Sequence, residues 1–263
     1  APTLYYYCSA HSGMGGTANT PTTNSFSNFD GSIQSNISPN STSLFSIVTY
    51  TGNGTSGATV GHGLGVTPDV IIVKSTSNSG AEWASYNSGL GETKSQKLNG
   101  NTAASTSTAF WNDTAPTSSV FSLGNGTDVN QSSGTYMAYC FAAKKGYSSM
   151  GTYTATGNAN GTFVYTGFKP RFFFVKNTGT TDSWFIWDTA RDRFGGNPME
   201  EFLRPNVSDA EGGPGNDYMD FLSNGIKMRT DNSAFNSANG VFWYIAIAEE
   251  ALVGTNNVPA TAR

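Results

Sequence analysis

Charge is scarce in this chain. Only 12% of its 263 residues are Asp, Glu, Lys or Arg, about half the ~25% of ordinary soluble domains. The net charge is −4 and the pI near 5.1, so nucleic acid finds no basic footprint and is not an expected partner. Histidine is limited to His11 and His62, which leaves little general base for nucleophilic catalysis. Two cysteines, Cys8 and Cys140, are too few for a disulfide framework, and Cys140 sits in an apolar run as a small buried residue would. No apolar stretch approaches the ~20 residues of a bilayer span, so membrane insertion is not expected. No basic segment followed by an apolar one opens the chain. It starts at Ala1-Pro2, as a fragment or processed product would. Good helix formers are thin, whereas 31 glycines, 13% aromatics and many Ser, Thr and Asn are present. That mixture suits short strands joined by turns.

What the chain does have is a repeat. Thr49-Tyr50-Thr51-Gly52-Asn53-Gly54 is answered by Thr152-Tyr153-Thr154-Ala155-Thr156-Gly157-Asn158, and Pro68 with Asp69-Val70-Ile71-Ile72-Val73-Lys74 by Pro170 with Arg171-Phe172-Phe173-Phe174-Val175-Lys176. Trp83 and Tyr86 correspond to Trp184 and Trp187, and the run after Gly134 to the run after Gly240. The offset grows from 103 residues at the tyrosines to 106 at the glycines, because loops absorb insertions that strands do not.

These landmarks divide the chain into an N-terminal strand and linker or arm (1–43), a first repeat (44–145), a second repeat (146–250) and an extended tail (251–263). The expected fold is all-β, with two tandem antiparallel β-sandwiches of jelly-roll-like, lectin- or glucanase-like type. Both alternating sets of Phe242-Trp243-Tyr244-Ile245-Ala246-Ile247-Ala248 are largely apolar, which predicts a strand covered on both faces. The one helix expected is Pro198 to Leu203, capped by Asn197.

Chemistry is weakly signalled. His62 stands in a glycine-rich turn, and its counterpart in the second copy is about Tyr165, so no imidazole is shared. Paired carboxylates for glycoside hydrolysis are offered by Asp188 with Asp192, by Glu200 with Glu201, and by Asp209, Glu211, Asp217 and Asp220. The balanced run Asp188-Thr189-Ala190-Arg191-Asp192-Arg193 reads more simply as a salt-bridged corner. The loop 208–220 has oxygen ligands for calcium but not the fixed spacing of a calcium loop; no cofactor is expected. Tyr86, Trp111 and Trp187 are the rings proposed to stack on sugar, with Asp188 and Arg191 beside Trp187. Trp83 and Trp184 are assigned to the core, because positions three apart on a strand face opposite ways. Tyr7-Cys8-Ser9-Ala10-His11-Ser12-Gly13-Met14-Gly15 resembles the copper loop of cupredoxins. That resemblance implies Cys8, His11 and Met14 as ligands only if an upstream domain supplied another histidine.

Ala138-Tyr139-Cys140-Phe141-Ala142, Gly151-Thr152-Tyr153-Thr154, Phe163-Val164-Tyr165-Thr166-Gly167-Phe168-Lys169-Pro170, Trp187-Asp188-Thr189-Ala190-Arg191 and the ending from Val253 to Arg263 together resemble a family of bacteriophage virion proteins labelled tail-fibre or structural. The resemblance runs from about Leu44 to Arg263. It implies a virion location, β-sandwich repeats, other virion proteins as partners and a homo-oligomer, and it transfers no catalytic residue. The expectation is a non-enzymatic virion structural protein (tail fibre, fibril or capsid decoration) that adheres to host-surface glycan or assembles with its neighbours. The alternatives are a carbohydrate-active enzyme acting on surface polysaccharide and a secreted self-assembling surface fibre.

Overall fold

The computed structural model describes residues 25–249 except Pro214 and Asp217, together with the backbone of 4–7 and 15–18. The protein is all-β, built from several antiparallel sheets, none of them closed. A hairpin of β1 (Leu4–Tyr7) and β2 (Gly15–Ala18) comes first. Then follow β3 (Phe26–Asn28), β4 (Ser35–Asn40), β5 (Phe45–Thr51), β6 (Ala58–Gly61), β7 (Val70–Ser75), β8 (Ala84–Asn87), β9 (Lys94–Lys97), β10 (Ser105–Thr106), α1 (Thr108–Trp111), β11 (Val120–Leu123), α2 (Thr127–Asn130) and β12 (Thr135–Phe141). The second half holds β13 (Ser148–Thr154), β14 (Phe163–Tyr165), β15 (Pro170–Asn177), β16 (Phe185–Asp188), β17 (Met219–Leu222), β18 (Gly225–Met228), α3 (Ser233–Asn236) and β19 (Val241–Ala248).

The duplication is visible in the strand order. The large sheet of the first half runs β10-β9-β8-β7-β12-β5-β4-β3, and that of the second β13-β19-β15-β16. The shared kernel β8-β7-β12-β5 thus matches β16-β15-β19-β13, and the small sheet β11-β6 matches the β18-β14 pair of β14-β18-β17. One buried tyrosine fixes each copy. Tyr50 Oη donates to the Val129 carbonyl at 2.7 Å, and Tyr153 Oη to the Phe235 carbonyl at 2.6 Å, tying the first strand to the one-turn helix α2 or α3. The next residue of each helix is a buried asparagine that satisfies the turn after that strand. Asn130 bonds Asn53 N and the carbonyls of Thr55 and Gly124, and Asn236 bonds Thr156 N and the carbonyls of Asn158 and Thr230. A buried amide with all its hydrogen bonds made fixes a loop that polar sequence alone would leave loose.

Period-2 alternation places the side chains in three apolar layers. Val48, Tyr50, Ile71, Val73, Tyr86 and Phe121 fill the first sandwich, and Tyr153, Phe173, Val175, Trp187, Phe221 and Phe242 the second. Between the two large sheets lies a third layer made by Val70, Ile72, Phe174, Trp184, Trp243 and Ile245, with Trp83, Tyr139 and Phe141 packed against it. The two sandwiches therefore stand back to back. β19 is covered on both faces as its composition predicts, with Phe242 and Tyr244 on one side and Trp243 and Ile245 on the other. Polar contacts cross the same seam: Trp184 Nε1 donates to the carbonyls of Lys97 at 3.0 Å and Gly100 at 3.1 Å, and Ala104 N to Thr178 O at 2.8 Å.

Two expectations are corrected. Pro198 to Leu203 is not a helix. Met199 bridges Met219, Phe202 bridges Gly212 and Leu203 bridges Ile186, since a one- or two-turn helix is costly to nucleate and the extended course buries Met199 in the core. The segment before residue 44, read as a linker or arm, supplies β3 and β4 to the first large sheet, with β4 paired along β5. Ile33, Ser35 and Ile37 are all buried at period 2, a strand signal hidden among serines and asparagines.

Trp184 is fully buried in the middle layer and stacks on Phe174 at 4.8 Å. Trp184→Ala is expected to lower the unfolding free energy by about 3–5 kcal/mol, as for other buried large-to-small changes. Urea titration followed by circular dichroism measures this; a loss below ~1 kcal/mol would show that the seam contributes little.

Candidate functional site

The rings expected to meet sugar are buried. Tyr86 and Trp111 pack edge-to-face in the first core at 5.9 Å, and Trp187 lies between Phe185 and Phe235 in the second. The rule that separates Trp184 from Trp187 holds, but both faces of their sheet are covered, so neither ring reaches solvent. Trp111 ends the helix α1, whose cap Asn112 is left-handed, and the turn directs the indole inward. Asp188 and Arg191 remain at the surface with different partners: Asp188 lies 3.7 Å from Arg171 and Arg191 2.6 Å from Glu211.

The other carboxylates are similarly committed. Asp192 is buried, which opposes its ionisation. Backbone amides of Glu200, Gly196 and Glu201, together with the Glu201 side chain, hold its carboxyl below the usual range, and Phe194 N also donates to it. Arg193 sits 2.6 Å from Glu201 and 3.6 Å from Glu200, Asp209 pairs with Arg204, and Asp220 with Arg229. Among the described residues no three His, Cys, Asp or Glu side chains gather as metal ligands; Cys8, His11, Met14 and Asp217 lie outside the described residues. His62 is buried, with Nε2 3.2 Å from the Thr117 carbonyl and Nδ1 accepting from Leu64 N at 3.2 Å. Burial lowers its pKa against the opposing pull of Thr117 and Asp30, and it serves as a neutral structural group.

The open aromatic surface lies elsewhere, on the outer face of the β14-β18-β17 sheet. Val164, Ile226 and Phe221 are paired across the three strands and point into the core. The flanking rows Phe163–Lys227–Asp220 and Tyr165–Gly225–Leu222 must then face outward, because neighbours along a strand alternate. Phe163 is 43% and Tyr165 68% exposed. A Cβ on Gly225 would come within 2.7 Å of Phe163 Cζ, and one on Gly167 within 3.5 Å of Tyr165 Oη. Each ring thus rests on a glycine and turns its other side to water. Beside this platform a concavity of about 600 Å³ is lined by Asn197, Pro198, Asp220, Leu222 and Arg229. Phe26, Phe29 and Phe194 are also exposed, but none has a second ring two residues along its strand.

The first copy has no such platform. Val60 pairs with Phe121 as Val164 does with Ile226, so Thr59 and Gly61 hold the places of Phe163 and Tyr165. Tyr165 is therefore the counterpart of Gly61 and not of His62. Thr59 N is bonded to Ser32 Oγ at 2.8 Å, and Asn28 lies against Gly61.

Residues 19–251 match a family described as a domain of unknown function, DUF7483. The chain belongs to the DUF7483 family. The match takes in both sandwiches together with β3 and β4 ahead of the first. No curated protein matches the chain, and no solved structure does. In this DUF7483 chain Phe163 and Tyr165 carry a weaker sequence signal than the tryptophans, which are rarer and larger. The signal that could have found them was local: an apolar residue inward between two aromatic ones, with a glycine two places on.

Gly225→Ala is expected to lower stability by about 1–3 kcal/mol, through overpacking against Phe163 and the Val164 carbonyl, and to raise the mobility of the Phe163 ring. Thermal melts and NMR line shapes measure the two effects. His62 gives a second expectation. Its folded-state pKa lies below the ordinary ~6.5, so between those values the unfolded chain binds more protons and stability falls as pH falls. His62→Gln should show a smaller drop in denaturation midpoint from pH 8 to pH 5 than the natural chain; an equal drop would refute the assignment.

Proposed function

We propose that this chain is a non-enzymatic structural protein of a bacteriophage virion, a tail fibre, fibril or capsid decoration, whose second sandwich adheres to host-surface glycan. The observation that carries the adhesion reading is the pair Phe163 and Tyr165, each backed by a glycine and open on the other side. Exposed aromatic pairs on a rigid sheet are costly in water and mark contact surfaces, and a flat ring presents its face to the C–H groups of a sugar. The virion placement is supported by the resemblance of residues 44–263 to tail-fibre and structural proteins. Against polysaccharide cleavage stands the engagement of the candidate carboxylates Asp188, Asp192, Glu201, Asp209, Glu211 and Asp220 with arginines or backbone amides. One open platform among the described residues suits an oligomer, in which weak sites add by avidity.

Phe163→Ala and Tyr165→Ala are each expected to weaken glycan binding about twofold to tenfold, the loss of ~0.5–1.5 kcal/mol of stacking, without changing the melting temperature by more than a few degrees. Glycan arrays followed by calorimetry test this, and a blank array removes the adhesion reading. Electron microscopy of the intact particle tests the placement: labelled antibody that decorates neither tail nor capsid removes it.

A further inference from the structure

The pocket beside the platform narrows the ligand further, and this step rests on the glycan reading above. The Asp220–Arg229 ion pair is part of the pocket's lining. Arg229 Nε and Nη2 both engage Oδ2 of Asp220, and among the described residues Oδ1 takes no hydrogen bond. Asp220 is half-buried while the Arg229 side chain stays 45% exposed, and Asn197 lines the same hollow. The remaining cation of the face, Lys227, donates to the Gly161 carbonyl.

A carboxylate already neutralised by an arginine does not call for a charged ligand. It offers an acceptor and, beside it, N–H donors in fixed geometry. Two adjacent hydroxyl groups satisfy such a pair: one O–H donates to Asp220 Oδ1, and the neighbouring oxygen accepts from the guanidinium. Asp220 is two strands from Phe163 in the same row, roughly 10 Å at ~4.8 Å per strand. One sugar can stack on Phe163 while its neighbour in the polymer enters the pocket. We infer that the site takes a neutral hexose polysaccharide, gripped through a vicinal diol by Asp220 and Arg229 and stacked on Phe163 and Tyr165.

The test is calorimetric titration of the full chain with a panel of neutral glucans, mannans and galactans, their 6-carboxyl (uronate) derivatives and their O-methylated forms. At least one neutral polymer should bind, with less than a twofold change between 50 and 500 mM NaCl. Its uronate and methylated forms should bind at least tenfold more weakly. Asp220→Asn should weaken the neutral interaction about tenfold. The double variant Asp220→Asn with Arg229→Gln, which leaves no charge unpaired, should do the same while keeping the native melting temperature. Preference for the uronate polymers, or affinity that falls steeply with salt, overturns the neutral-diol assignment and leaves glycan adhesion standing. Undiminished binding of the methylated forms does likewise. Failure of every neutral polymer to bind overturns the assignment; if the uronate forms fail as well, the adhesion reading falls with it.

Discussion

The structure depends on an apolar layer between two sheets that each already have a sandwich on the other side. Phe174, Trp184 and Trp243 form an aromatic cluster there, with ring centres 4.6–5.7 Å apart. Because this layer covers the backs of β7, β15 and β19, those strands are apolar on both faces and cannot sit at a surface. Low charge in the sequence fits the same arrangement: strands covered on both faces hold few charged residues, and Lys176, buried on β15, is kept there by carbonyl partners. The two copies are then one packed body, with the backbone hydrogen bond from Ala104 N to Thr178 O and the Trp184 indole crossing from one to the other.

Within that body, what duplication preserved is the means of closing each sandwich. The tyrosine-to-helix bond and the asparagine that fills the following turn occur in both halves. So do the lysines: Lys74 donates to the Ala81 carbonyl in the loop after β7, and Lys176 to the carbonyls of Asn177, the last residue of β15, and of Thr180 in the loop after it. Burial lowers the Lys176 pKa to about 8, with Asp182 opposing. The outer faces of the small sheets have diverged. The first is overlaid by residues 28–33, and the second bears two rings and a pocket.

Much of the fold was legible because alternation is a local property. The all-β class, the paired strands and the doubly covered β19 could be read from side-chain period alone. What could not be read was which surfaces meet at long range. Trp187 and Tyr86 lie opposite Trp184 and Trp83 as their spacing demands, yet no pattern within one strand tells whether a second sheet covers the other side. The helix expected at 198–203 failed for the same reason, since its extended course is set by distant partners at 186, 212 and 219. In sequence Phe163 and Tyr165 are ordinary strand aromatics, and the glycines beneath them, Gly167 close by and Gly225 distant in sequence, make them a platform.

The overlay of residues 28–33 on the first small sheet has a directional consequence. The four sheets are stacked in series, small, large, large, small, so the overlaid face and the ring-bearing face are the two poles of the body. One pole is bordered by residues 28–33, which bond to β6, and the other carries the open pair Phe163 and Tyr165, with the thickness of two sandwiches between them.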